Sequence, residues 1–381
     1  MRTLNRSLMF SYFPVWIASF LLPIYCTDLG LSPLETTGMF SVCSLFILLS
    51  KLISGKMCDR IGTKPVFVSG IFVMAVSYLV LAFAQNMVLL YLSQVLNGIG
   101  TALLAVSTYA MLANKGKEEM AVNRGKQASA ENRGGLYGLI LYFAAFARLD
   151  FLTGWKFFFL ACAAFAFAAV WIAAKGMGND IGELSSQKES VRSLLTAEKM
   201  RIILARFSFA MAENVLGAVF VLVMIQRFGE NMMAIGLVCL IPSCLLTWQM
   251  PSIGAKVKRY GEQRSFLTAG LLAIGFLIWM TQSETTFLFG IGWCGYSFAV
   301  TAMRLAVDSL FSRCMGEQEK GALSGIYSCS INLGAMIAAV LGGFLLQTFG
   351  MSVPFYITAL LIMVTVFLFG LKKQTANCRF S

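Results

Sequence analysis

Apolar residues fill the chain in long runs, separated by short clusters of Lys, Arg, Gly, Asp and Ser. A helix needs about 20 apolar residues to cross the hydrocarbon core of a bilayer. By that measure, spans are predicted at 7–27, 36–57, 66–84, 87–112, 127–147 and 155–174. They recur at 202–226, 232–250, 266–283, 286–311, 321–347 and 352–371. The expected fold is therefore an all-α membrane protein, twelve transmembrane helices arranged as two six-helix bundles. Residues 1–174 make the N-terminal bundle, 175–201 a polar linker, and 202–381 the C-terminal bundle with a short tail. The first run has the outline of a secretory leader, since it follows Arg2 and Arg6. It is too long for a leader core, and no small-x-small cleavage site precedes Asp28, so it reads as the first span.

Composition agrees with the pattern and narrows the chemistry. Hydrophobic residues are 58% of the chain and charged residues 13%, with mean hydropathy +0.76. No water-soluble core hides that much apolar surface. There is no His, so the usual near-neutral proton carrier is missing and proton traffic falls to carboxylates. The ten Cys are scattered without a Cys-x-x-Cys pair and read as small apolar residues, not metal ligands. No cofactor is expected. Without a P-loop or a nucleophile elbow, ATP-driven transport and enzymatic chemistry are disfavoured, and no polar segment is long enough for a soluble enzymatic domain.

The net charge of +12 is distributed with a purpose. Lys and Arg crowd the termini and the even-numbered loops, whereas Arg148, Lys156 and Arg227 are the basic residues on the other side. That asymmetry predicts a multi-pass protein of the cell membrane with both termini cytoplasmic. The charge needs no nucleic acid; it suits anionic lipid headgroups, so membrane lipids are expected partners.

The two halves repeat. Gly55-Lys-Met-Cys-Asp59-Arg60-Ile-Gly62-Thr63-Lys64-Pro65 follows the second span, and Gly254-Ala-Lys-Val-Lys258-Arg259-Tyr-Gly261-Glu-Gln-Arg264 follows the eighth. Gly, Arg and Gly fall in the same register in both. Gly138 of the fifth span likewise matches Gly334 of the eleventh. Duplicated halves of this kind pack about an axis along the membrane normal, with the substrate site between them.

The first turn resembles the loop 2–3 signature of the major facilitator superfamily, with Thr63 as its one departure. Gly154-Trp155-Lys156 at the sixth span is also common there. The resemblance covers the whole chain and implies a secondary active transporter, monomeric and working by alternating access on a small-molecule substrate. It assigns Gly55, Asp59, Arg60, Gly62 and Lys64 to gating, through an ion network that latches the halves. The drug and metabolite efflux branch, coupled to protons, is the version it most resembles. Two features depart from that branch: Gln94 replaces a common Arg, and Leu139 follows Gly138 where the antiporter signature has Pro. An importer or uniporter of an organic anion, or a non-transporting sensor, stays open.

Ionisable groups at membrane depth are functional candidates by default. Glu213 lies about 18 Å along its helix from Arg201, near mid-bilayer, and heads the proton-coupling candidates with Glu131 second. Arg206, seven residues before Glu213, shares its face. Arg133 is the foremost candidate for an anionic substrate group. Arg304 and Asp308, four apart, read as a structural ion pair. Asn214, Tyr12, Trp16, Gln94, Asn97, Tyr137, Trp293, Tyr296 and Asn332 complete the substrate-binding candidates. No metal site is expected.

Overall fold

A computed structural model describes residues 2–113, 117–146, 149–177, 196–229, 232–314 and 320–370. Among them are thirteen α-helices. The first seven are α1 (Arg2–Ser11), α2 (Val15–Asp28), α3 (Pro33–Ile61), α4 (Thr63–Ala82), α5 (Met87–Ala113), α6 (Lys117–Leu141) and α7 (Phe151–Gly176). A π-helical turn, Tyr142–Phe146, continues α6. The rest are α8 (Ala197–Phe228), α9 (Met232–Tyr260), α10 (Glu262–Gln282), α11 (Thr286–Cys314), α12 (Lys320–Phe349) and α13 (Val353–Gly370). Ten helical segments among the described residues are long and apolar enough to cross a membrane.

Three expectations change. The first span is a broken helix, because Pro14 has no amide hydrogen and its ring cannot extend α1. Val15 N–H instead reaches back to the Tyr12 carbonyl at 3.1 Å. The fifth span begins ten residues earlier than 127 and carries Glu131 and Arg133, which leaves α6 outside the ten apolar segments. The twelfth is short, with an apolar stretch at Val353–Phe369. Twelve spans are therefore not counted here, although every expected run is helical.

Two compact units emerge from the packing: Met1–Ser32 with Met39–Ser186, and Pro33–Gly38 with Gln187–Ser381. In the first, α4 lies against α5 and α7, and α1 against α6 and α7. In the second, α10 lies against α11 and α13, and α8 against α12 and α13. These four pairings are the same set displaced by half the chain, as the sequence repeat predicts.

The repeat extends to single atoms. Gly62 opens α4 at φ +90° and Gly261 opens α10 at φ +87°, a region where a side chain is strained. A Cβ on Gly138 would overlap the carbonyl oxygen of Phe13, and one on Gly334 would lie 2.9 Å from that of Phe207. Both glycines exist to let one helix of the repeat touch the backbone of another. Gly55 and Gly254 do not; a Cβ there meets nothing within 4 Å.

Each unit is also pinned by polar groups that close helix ends. In the first, the Trp155 indole donates to the Leu81 carbonyl at 2.9 Å and stacks on Tyr25, whose hydroxyl donates to the Ala84 carbonyl at 2.6 Å. In the second, Arg227 donates to the Met280 and Thr281 carbonyls at 2.9 and 2.8 Å, capping α10. Lipid offers these carbonyls no partner, so the protein supplies one.

Candidate functional site

Among the described residues, a cluster of four charges lies inside the second unit, on helices long and apolar enough to cross a membrane. Arg206 and Glu213 stand two turns apart on α8, and the Arg206 Nη1 meets Glu213 Oε2 at 3.1 Å. From α11, Arg304 donates to Glu213 Oε1 through Nη2 at 2.6 Å and Nε at 3.0 Å. Asp308, one turn further on α11, places Oδ1 3.6 Å from Arg206 Nε. The Tyr327 hydroxyl of α12 closes the set by donating to Asp308 Oδ1 at 2.5 Å. Two cations and two anions on two helices, joined by a hydroxyl from a third, thus form a neutral group.

Exposure divides the four. Arg206 and Glu213 keep 5% and 11% of their side-chain surface, whereas Arg304 and Asp308 keep 45% and 46%. The α8 pair is therefore packed, and the α11 pair is open to water-sized molecules from one side. Arg206 also lies over the Phe209 ring at 5.3 Å, which shields it further. Two buried polar atoms nearby have no hydrogen-bond partner, Arg206 Nε and the Tyr296 hydroxyl oxygen. Tyr296 precedes Arg304 by about two helical turns, on the same face of α11. Trp293 stacks on Tyr296 and on Phe220 of α8, with centroids 5.5 and 3.7 Å apart.

Sequence reasoning placed Glu213, Arg206, Trp293 and Tyr296 among the candidates, and the fold brings them to one region of the second unit. It paired Arg304 with Asp308 as a structural bridge, whereas the close contacts run between helices, Arg304 to Glu213 and Arg206 to Asp308. It passed over Tyr327 altogether. A usable signal was present: two acids and two bases on two spans of one half sum to zero, and a neutral quartet is cheaper at membrane depth than two separate pairs. Asn214 and Asn332 spend their amide N–H groups on carbonyls of their own helices, Ala210 at 2.8 Å and Ser328 at 2.9 Å.

The candidates of the first unit are more dispersed. Glu131 accepts from Gln127 at 2.8 Å. Trp16 covers Gly135, whose Cβ would fall 2.8 Å from the indole. Gln94 is buried, Asn97 approaches Cys43 Sγ at 4.0 Å, and Tyr137 is exposed. Arg133 is exposed and makes no ion pair among the described residues. Asp59 and Arg60 are exposed at the end of α3 and Lys64 is half-buried on the first turn of α4, and none of the three makes an ion pair among the described residues.

Matched helix pairs, paired positive-φ glycines and long apolar helices describe a duplicated helical membrane protein. The family model for the Major Facilitator Superfamily matches residues 7–313 and again 202–377. The chain belongs to the major facilitator superfamily. As a member of it, the protein is a multi-pass membrane transporter of a small substrate. An MFS-type transporter of Methanocaldococcus jannaschii is 22% identical, over 92% of this chain and 95% of its own. A probable vesicular acetylcholine transporter of Danio rerio is 33% identical over 86 residues, 23% of this chain and 17% of its own. Among solved structures, the nucleoside transporter NupG superposes with a TM-score of 0.78 at 13% identity, covering 97% of this chain and 98% of its own. The human organic anion transporter MFSD10 does so at 0.72 and 16%, with the same coverage. At those identities the superpositions speak for the fold.

Proposed function

We propose that this transporter carries a small organic anion and that Arg304 is the group that receives it. One observation supports the reading above the others: Arg304 is the half-open cation of the quartet, and both of its contacts go to Glu213. An incoming carboxylate or phosphate offers the same bidentate acceptor and can replace Glu213 on the guanidinium. The Tyr296 hydroxyl, buried without a partner on the same face, is positioned to donate to the same ligand, and Trp293 supplies an aromatic wall. Displaced from Arg304, Glu213 keeps Arg206, so the exchange never strands a buried charge.

Proton coupling follows from the same exchange. While both arginines hold Glu213, a proton on it would leave the two cations with Asp308 as their remaining counter-charge. Once an anion has taken Arg304, Glu213 can accept a proton and the two move together. Efflux by proton antiport, the version the sequence resembles most, is the second reading, and Glu131 favours it. Its carboxylate is hydrogen-bonded to the neutral Gln127 amide, on a different unit from the arginine cluster. Asp59, Arg60 and Lys64, with Gly55 and Gly62, are assigned the gating role in either case, and the linker 175–201 joins the bundles 1–174 and 202–381.

The test is uptake of a panel of organic anions, cations and neutral solutes into proteoliposomes, with internal pH followed by a dye. Saturable movement of an anion, abolished in Arg304→Gln and shifted to higher KM in Arg304→Lys, is the expected result. Acidification that accompanies the anion and disappears in Glu213→Gln gives the coupling. Transport confined to cations or neutral solutes, indifferent to Arg304, would sink the anion reading; loss in Glu131→Gln alone would favour antiport.

A further inference from the structure

A second site lies on the other side of α11 from the charged quartet. The helices α9, α10 and α11 leave a groove between them of about 1260 Å³, and none of Arg206, Glu213, Arg304 or Asp308 lines it. Its walls are apolar, with Ile241, Leu272 and Phe287 exposed to 51%, 59% and 77%. A soluble protein would not leave side chains of this size open; here they face the surface where lipid lies. At the end nearest the α9–α10 turn the lining changes character, to Lys256, Tyr260 and Arg264.

That end is positive without a balancing acid. No Asp or Glu lines the groove. The one acid of the turn, Glu262, is 4% exposed and accepts from the Ser309 hydroxyl at 3.0 Å, so its charge is directed into the protein. The matching turn of the first half carries Asp59, exposed, where this one carries Lys258. Tyr260, 64% exposed beside the two cations, has the amphipathic form favoured at the membrane–water boundary. Lys256 is on the last turns of α9 and Arg264 on the first turn of α10, so the tight turn at Gly261 brings two cations from different helices to one mouth.

We propose that the groove binds an anionic membrane phospholipid, its phosphate between Lys256 and Arg264 and an acyl chain along the wall formed by Ile241, Leu272 and Phe287. The charge complementarity commits the site to an anionic headgroup, and the apolar length below it to a lipid rather than a free phosphate. From Arg264 to Phe276 the wall runs about 18 Å along α10, more than half of the hydrocarbon core and hence about one leaflet. The site is separate from the substrate path and does not depend on what is transported.

The experiment is native mass spectrometry of the full-length protein titrated with phosphatidylglycerol or phosphatidylcholine bearing identical chains. Wild type is expected to retain phosphatidylglycerol several-fold more strongly. Lys256→Gln with Arg264→Gln should abolish that preference, while Lys258→Gln with Arg259→Gln, equal in charge but outside the groove, should preserve it. Leu272→Trp should reduce retention of both lipids by filling the wall. Equal retention of the two lipids by wild type, or an equal loss in the two double variants, would overturn the proposal, the latter by showing diffuse surface charge instead of a site. Free inorganic phosphate competing as well as the lipid would also overturn it, because the groove would then contribute nothing.

Discussion

The two halves share a scaffold and differ in what they bury. Helix pairings, the positive-φ glycines and the glycine contacts at Gly138 and Gly334 are common to both. Phe13 and Phe207, whose carbonyls those glycines touch, put the two first helices in register. Arg206 then matches Tyr12, and Glu213 matches Ser19, whose hydroxyl is satisfied within its own helix by the Val15 carbonyl at 3.0 Å. One half thus holds a charged quartet where the other holds hydroxyls and aromatic rings. Backbone geometry tolerated this divergence because none of the matched glycines touches the divergent side chains. Duplication preserved the frame and left the lining free to specialise.

The comparison can be broken most severely at the quartet. Glu213→Gln leaves Arg206 buried with only Asp308, at 3.6 Å, to balance it. Losing one partner of a buried pair costs about 3–5 kcal/mol, and the remaining acid places this case near 3. The expected result is a lower unfolding temperature in detergent for Glu213→Gln, recovered when Arg206→Met accompanies Glu213→Leu. A single variant as stable as wild type would show that the quartet is not held together by charge.

Next in size is a difference between matched glycines. Gly138→Ala forces α6 away from the Phe13 carbonyl, at the upper end of the about 1–3 kcal/mol usual for overpacking. Gly334→Ala, whose Cβ would lie 2.9 Å from the Phe207 carbonyl oxygen, needs a smaller shift and belongs near the lower end, about 1 kcal/mol. Thermal unfolding of the two side by side should reproduce that order. Equal losses would mean that the first half is less tightly joined than its backbone contacts imply.

Gly62→Ala and Gly261→Ala sharpen the likeness instead. Both replace a residue at nearly the same positive φ, where a side chain costs about 1 kcal/mol. The two losses should agree. The smallest effect is expected from Trp155→Phe, which keeps the stack on Tyr25 but removes the bond to the Leu81 carbonyl. That loss is about 0.5–1.5 kcal/mol, read as a small fall in unfolding temperature with transport retained.

Most of the frame was legible in the residues, because lipid leaves a chain few options. Apolar runs mark helices, and the Gly-x4-Arg-x-Gly repeats mark the turns. Where the reading failed, a local rule met a competing one. Pro14 broke a run that hydropathy alone joined. Glu131 and Arg133 made α6 too polar for a span of ordinary composition. The quartet was half legible: periodicity put Arg206 beside Glu213 and Arg304 beside Asp308. Which acid each base would choose depends on how α8 and α11 approach each other, and no spacing within a helix records that. Tyr327 was missed for the same reason, since its role exists only through a third helix.

Pro14 gives the halves different mechanical character. The segment from Tyr12 to Pro14 has already given up a continuous backbone ladder, so flexing there costs little further hydrogen bonding. Its counterpart α8 runs unbroken for 32 residues and is tied at its middle by the quartet. A rod with a joint and a rod with a lock, built on one plan, divide labour. The jointed helix can flex at Pro14, while the locked helix is held at its middle by charge.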